Sequence, residues 1–259
     1  MPSASEVAVP ARADAPRTSL RRIAIVPAHN EEACIAEVVR EIRAFDPELE
    51  VVVVDDGSVD RTAALAADAG AHVVRLPFNL GIGGAVQTGF QYALAHGFEL
   101  AVRLDGDGQH DPQELPRLLE PLLADEADIV VGSRFAARDR HYRAPFARGL
   151  GIRLFAWIVS LLVGQRVTDT TSGFQALNRR GIALFAADYP HDYPEVEATV
   201  MVHQHRLTMM EVPVRMRERA AGASSITALR SVYYAAKVLL ALFVGLFRRS
   251  VTPLEEEKE

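Results

Sequence analysis

The chain has 259 residues, 49% of them hydrophobic and 24% charged, which suits one large α/β domain with a full core and excludes a disordered or fibrous chain. A formal net charge of -6 argues against a general nucleic-acid binder, since such proteins present a basic surface. The single cysteine, Cys34, excludes an intramolecular disulfide framework and a cysteine-based zinc site.

Residues 1–19 are rich in Ala, Pro, Ser and Arg and lack the apolar centre of a signal peptide. They are expected to form a disordered tail. Arg22–Val26 is apolar and β-branched and reads as a first strand, ended by Pro27. Asn30 is placed to cap the helix that follows, with Glu31 and Glu32 in its first turn and its end near Phe45. Val51–Val54 is the second strand. Asp60 is placed to cap a helix over Thr62–Ala69, which Gly70 closes. A third strand, His72–Leu76, leads through the glycine-rich turn Asn79–Gly84 to a helix over Ala85–His96. Leu100–Leu104 is the fourth strand, Pro112 opens a helix ending near Ala124, and Ile129–Val131 is the fifth strand. This alternation implies a mostly parallel central sheet with right-handed crossovers, flanked by helices.

The second half is less regular. Gly149–Val163 reads as an apolar helix, Asp169–Phe174 as a polar turn, Glu195–His205 as a helix, Leu207–Val214 as a strand and Arg215–Ser225 as a basic, small-residue loop. No stretch of about 18 uncharged apolar residues is present, so no ordinary membrane span is expected. The nearest approach is Ile226–Arg249, whose apolar run Val238–Phe247 follows Lys237 and is closed by Arg248 and Arg249. An amphipathic helix lying on a membrane surface with snorkelling basic ends fits that pattern, and the alternatives are packing against a small membrane protein or a second copy of the chain, or plain core packing. The expected division is a tail at 1–19, an α/β domain at 20–225, a helical appendage at 226–249 and an acidic tail at 250–259.

The chemistry concentrates at strand ends. Asp105-Gly106-Asp107-Gly108-Gln109 follows the fourth strand. Two carboxylates separated by one glycine, with a neutral oxygen from Gln109, can ligate one hard divalent cation, and such a cation usually shares its sphere with phosphate oxygens. Gly106 and Gly108 let the backbone turn tightly against a ligand. A second acidic pair, Asp55-Asp56, ends the second strand, where carboxylates can accept from ribose hydroxyls or a base. Asn79–Gly84 lacks the spacing of a dinucleotide fingerprint, because Val86 stands where the last glycine is required. Arg134 follows Gly132-Ser133 at the end of the fifth strand, and Arg219 begins Arg219-Ala-Ala-Gly-Ala-Ser224; both are candidate phosphate ligands. Arg148 and Arg153 are candidates for an anionic acceptor. His203 and His205 are two apart and would leave a helix on different faces.

Taken together, Ile25–Glu32, Val54–Ser58, Asn79–Gly84, Asp105–Pro112, Gly132–Arg134, Asp169–Phe174, Glu211–Val214 and Arg219–Ser225 resemble the family 2 glycosyltransferases of GT-A fold, and within them the polyprenyl- and dolichyl-phosphate sugar (mannose or glucose) synthases. The resemblance implies that Pro27, His29, Glu31, Val54, Asp55, Asp56, Asp105 and Gly106 hold a nucleotide-sugar. It implies that Asp105, Asp107 and Gln109 bind Mg²⁺ or Mn²⁺, that Asp107, Arg134 and Arg219 serve catalysis, and that Arg148 and Ser224 face the acceptor. His29 stands where the family usually has Tyr, and Ser225 where the mannose synthases carry Lys. The implied reaction moves a sugar, with inversion, from a UDP- or GDP-sugar to a polyprenyl phosphate at the cytoplasmic membrane face, with the protein held peripherally. A phosphomonoester acceptor is substantially ionised near neutral pH and needs no base. A sugar hydroxyl acceptor would need one, and Glu195 and Glu197 are both available.

Overall fold

The computed structural model describes residues 20–136, 156–190 and 194–217. A seven-stranded sheet in the order β3-β2-β1-β4-β6-β5-β7 organises these residues. The strands are β1 (Arg22–Ala28), β2 (Glu50–Asp55), β3 (His72–Arg75), β4 (Leu100–Arg103), β5 (Ile129–Ser133), β6 (Gln175–Asn178) and β7 (Met209–Pro213). β1 pairs in parallel with β2 and β4, β2 with β3, and β5 with β7. β6 runs antiparallel to both its neighbours, β4 and β5. The helices are α1 (Ile35–Phe45), α2 (Thr62–Asp68), α3 (Gly81–Ala95), α4 (Leu115–Leu123), α5 (Arg179–Ala187) and α6 (Pro194–Gln204), and residues 156–163 are also helical.

Strands β1, β2, β4 and β5 are buried on both faces, which is why they read as largely apolar runs rather than as alternation. Along β1 the side chains split by parity. Ile23 and Ile25 enter a core shared with Phe90 of α3 and Phe185 of α5, whereas Ala24 and Val26 enter a second core with Ile35 and Val39 of α1 and Leu118 of α4. Helix α3 lies close against β1: a Cβ at Gly89 would stand 2.2 Å from Ile25 Cγ2.

Four expectations are corrected. Pro27 does not end β1, which continues to Ala28 opposite Asp55. Ile25 turns its carbonyl toward β4, accepting from Leu104 N–H. By the same parity Pro27 faces β4 beyond the last paired residue, Arg103, so its missing donor breaks no ladder. Asn30 is not a helix cap: it sits in the left-handed region at φ 55°, and its side chain accepts from Val59 N–H. The first hydrogen-bonded turn begins instead with the Glu31 carbonyl, and α1 begins at Ile35. Helix α3 starts at Gly81, so most of the glycine-rich turn is its first turn. Strand β6 and helix α5 have no counterpart in the reading from sequence.

The expected tail at 1–19, the appendage at 226–249, the acidic tail and part of the helix over 149–163 lie outside the described residues. So do Arg148, Arg153, Arg219, Ser224 and Ser225.

Candidate active site

Strands β1, β2 and β4 run in one direction and end along one edge of the sheet, the edge where open α/β sheets take their ligands. A cleft of about 570 Å³ opens there, lined by Pro27 at the end of β1, His29 and Glu31 just after it, Asp56 after β2, Arg103, Asp105, Gly106 and Asp107 at the end of β4, the start of α3, and Glu195 from the first turn of α6. Segments far apart in the chain thus converge on one space.

The two aspartates after β2 divide their work. Asp55 is fully buried. Its Oδ1 accepts from Ser58 N–H at 3.0 Å, and its Oδ2 lies 3.3 Å from Arg75 Nε, close enough for an ion pair without hydrogen-bond alignment. It shapes the turn and does not line the cleft. Asp56 does line it, with Oδ1 accepting from Leu80 N–H at 2.6 Å. Gly57 makes this turn possible, since it sits at φ 67° and a Cβ there would meet the Phe78 backbone at 2.7 Å. Val54 is buried opposite Pro27 and supports the edge from behind. His29 is tied back to the same turn, its Nδ1 standing 2.8 Å from the Asp56 carbonyl.

The loop after β4 is held from several sides. Asp105 N–H donates to His110 Nδ1 at 2.9 Å, so the proton of the neutral ring sits on Nε2. The ring stacks on Phe174 at 4.7 Å and 9°. Burial outweighs the neighbouring carboxylates and pushes the His110 pKa below its ordinary value, which keeps the ring neutral. Asp107 Oδ1 accepts from Gln109 N–H at 3.0 Å. A Cβ on Gly106 would stand 3.2 Å from the Pro27 carbonyl oxygen, so the loop crosses the end of β1 in close contact. Gln109 does not line the cleft, and its carbonyl accepts from Arg217 N–H at 2.8 Å.

Arg103 was hidden in what reads as an apolar strand. It is 2% exposed. Its Nη2 donates to Glu195 Oε1 at 3.0 Å and lies 3.4 Å from Asp105 Oδ1, and its Nη1 donates to the Tyr189 hydroxyl at 3.2 Å. Burial disfavours its charge, but Tyr189, Asp105 and Glu195 outweigh that and hold the guanidinium protonated more firmly than usual. The usable signal was an arginine inside an apolar run two residues before an acidic pair. Glu195 is brought into the cleft and Glu197 is not.

Arg134 is placed elsewhere. Its guanidinium grips Asp169 through two contacts of 2.8 Å and donates to Thr171 Oγ1 at 2.6 Å. Asp169 is fully enclosed, and its N–H in turn donates to Glu211 of β7 at 2.9 Å. The turn at 169–174 is therefore a buried polar network rather than a solvated loop, and Arg134 is not among the residues lining the cleft.

The acidic pair has the donor chemistry of a magnesium or manganese site, two carboxylates opening on a roomy cleft. Among the described residues no three His, Cys, Asp or Glu are grouped to hold a metal unaided. A cation at Asp105 and Asp107 would complete its sphere with oxygens brought by a ligand, and that suits a phosphate-bearing one.

The sequence matches the model of glycosyl transferase family 2 over residues 23–183. The chain belongs to that family and is a glycosyltransferase; its sheet and flanking helices form the GT-A fold. It is 32% identical over 220 residues to the undecaprenyl-phosphate mannosyltransferase of Micrococcus luteus, covering 80% of this chain and 88% of that one. It is 30% identical over 220 residues to the polyprenol monophosphomannose synthase of Mycolicibacterium smegmatis, covering 82% and 83%. Among solved structures, it is similar to the glucosyl-3-phosphoglycerate synthase of Mycobacterium tuberculosis crystallised with Mn²⁺, uridine diphosphate and phosphoglyceric acid, with a TM-score of 0.64 and 23% identity over 89% of this chain and 80% of that one. No helix among the described residues is long and apolar enough to cross a membrane.

Proposed function

We propose that this glycosyltransferase moves a sugar from a nucleotide-sugar to a polyprenyl phosphate, inverting the anomeric carbon, with the protein resting peripherally on the cytoplasmic membrane face. The convergence of Asp56, Asp105 and Asp107 on one cleft at the ends of β2 and β4 carries this reading. Asp56 and the residues after β1 take the nucleoside end of the donor. Asp105 and Asp107 hold a Mg²⁺ or Mn²⁺ ion, which when bound supplies positive charge to the departing diphosphate. Arg219, two residues beyond the described segment, adds a guanidinium to the same phosphates. Arg134 supports the edge from behind through Asp169. Arg148 and Ser224 are assigned to the acceptor.

The names of the relatives favour a lipid phosphate acceptor. Such an acceptor arrives as an anion and needs no proton removed. A second reading is favoured by Glu195 in the cleft: a carboxylate so placed can take a proton from an attacking sugar hydroxyl, which would make the product a longer glycan.

The test is incubation of the full chain with Mn²⁺, radiolabelled UDP- and GDP-hexoses and undecaprenyl phosphate. An acid-labile, lipid-extractable label is the expected product. Label appearing on a glycan or glycolipid hydroxyl, with none on the lipid phosphate, would replace the first reading by the second.

A further inference from the structure

Arg103 is the one arginine or lysine among the described residues lining the cleft, whose acidic lining residues are Glu31, Asp56, Asp105, Asp107 and Glu195. It sits in the middle of the sheet, paired with Ile25 on one side and Gln175 on the other. The surrounding chain is shaped for it: a Cβ on Gly173 would stand 2.8 Å from Arg103 Nη2 and 3.2 Å from Asp105 Oδ1. Stability does not account for this arrangement. Apolar residues commonly replace buried ion pairs with no loss, and here Arg103 Nε–H is buried without a partner.

What the guanidinium accomplishes is geometric. One Nη2 reaches two carboxylates on different elements, Asp105 at the end of β4 at 3.4 Å and Glu195 in the first turn of α6 at 3.0 Å. It therefore ties α6 to the acidic pair and fixes Glu195 beside it in the cleft. An ionised carboxylate is an acceptor without donors, so what it recognises is a hydroxyl or an N–H. The hydroxyl-rich group that a donor would present next to a diphosphate is its sugar.

We propose that Glu195 reads the hydroxyls of the donor's sugar and so determines which sugar is accepted, and that Arg103 is the positioning residue that aims it. This rests on the nucleotide-sugar reading given above.

Binding separates the two claims. Isothermal titration with Mn²⁺ present compares uridine and guanosine diphosphates with their hexose conjugates, on the unaltered chain, Glu195→Gln and Arg103→Lys. For the accepted nucleotide, Glu195→Gln is expected to weaken the sugar conjugate about ten- to hundredfold, the range for losing a hydrogen bond to a charged group, while leaving the bare diphosphate within about twofold. Arg103→Lys keeps the charge but loses the fork that holds two carboxylates at once, and is expected to shift the same ratio in the same direction. A merely structural role would lower both affinities together. Equal loss for conjugate and diphosphate, or no loss for either, overturns the assignment, as does a Glu195→Gln variant whose donor affinity is intact while turnover vanishes, the pattern of a proton acceptor. Failure of the unaltered chain to bind either diphosphate would sink the donor reading itself and this inference with it.

Discussion

At the ends of β2 and β4, Asp56, Asp105 and Asp107 turn toward an open cleft. Beyond β5, Arg134 is joined to Asp169 of the turn before β6, and the Asp169 N–H to Glu211 within β7. The residue types are alike, and the difference lies in where their partners are. On the first edge the Leu80 and Gln109 N–H groups steady Asp56 and Asp107, and one cation, Arg103, serves both Asp105 and Glu195, so carboxylates remain in excess and the edge stays acidic and open to a cation and its ligand. On the second edge the charges hold each other, and the result is a brace. A carboxylate near a strand end is thus a candidate for chemistry when it opens on a cleft where acids outnumber cations, and a candidate for architecture when an opposite charge encloses it, as Arg134 does Asp169.

The sharpest way to break this contrast is to remove one charge from each edge. Asp107→Ala is expected to cut sugar transfer by at least about a hundredfold, the scale of losing a preorganised electrostatic contributor, with thermal stability nearly unchanged; steady-state transfer and a melting curve check this together. Arg134→Met is expected to behave in the opposite way. It leaves the enclosed Asp169 carboxylate uncompensated, so a loss of about 3–5 kcal/mol in denaturant unfolding is expected, with nucleoside diphosphate affinity of the folded protein within about twofold. If Arg134→Met instead leaves stability alone and abolishes phosphate binding, the second edge is part of the site and the contrast fails.

A smaller effect tests the scaffold under the first edge. Gly89→Ala inserts a methyl 2.2 Å from Ile25 Cγ2, and overpacking of this kind costs about 1–3 kcal/mol. Chemical denaturation reads it directly, and an unchanged midpoint would mean that α3 lies farther from β1. The smallest effect is the pH response of His110. Its folded pKa lies below the ordinary 6.5, so the unfolded chain binds more protons than the native one once pH falls below that value. The stability that neutral His110 contributes is fully present above about pH 6.5 and is lost as pH falls toward the folded pKa, at up to about 1.4 kcal/mol per unit. In chelator, unfolding free energy measured from pH 7.5 to 5 is expected to decline, and His110→Gln to flatten the decline.

The first edge was legible because each of its strands is a run of apolar residues ending in acid and glycine, such as Val51–Asp56 and Leu100–Asp107. Local pattern and parallel topology agree there. Strand β6 was not legible. Gln175–Asn178 is four residues long, flows directly into α5 and is antiparallel between β4 and β5, so nothing in a strand-helix rhythm announces it. Arg134 was placed on phosphates by its position after a strand, since its partner Asp169 lies 35 residues on and only the fold joins them. Nothing local fixes the role of Arg103, because burial with Glu195, 92 residues away, is what gives it meaning. Short-range signals found the residues that main-chain geometry orients, and they missed the residues that distant side chains orient.

The central claim is that Asp105 and Asp107 hold a divalent cation against the donor's diphosphate. Crystals soaked with MnCl₂ and the accepted nucleoside diphosphate test it most directly. An anomalous manganese peak touching both carboxylates and a phosphate oxygen is the predicted result. A bound diphosphate with no such peak, or a manganese ion bound away from residues 105 and 107, would contradict it.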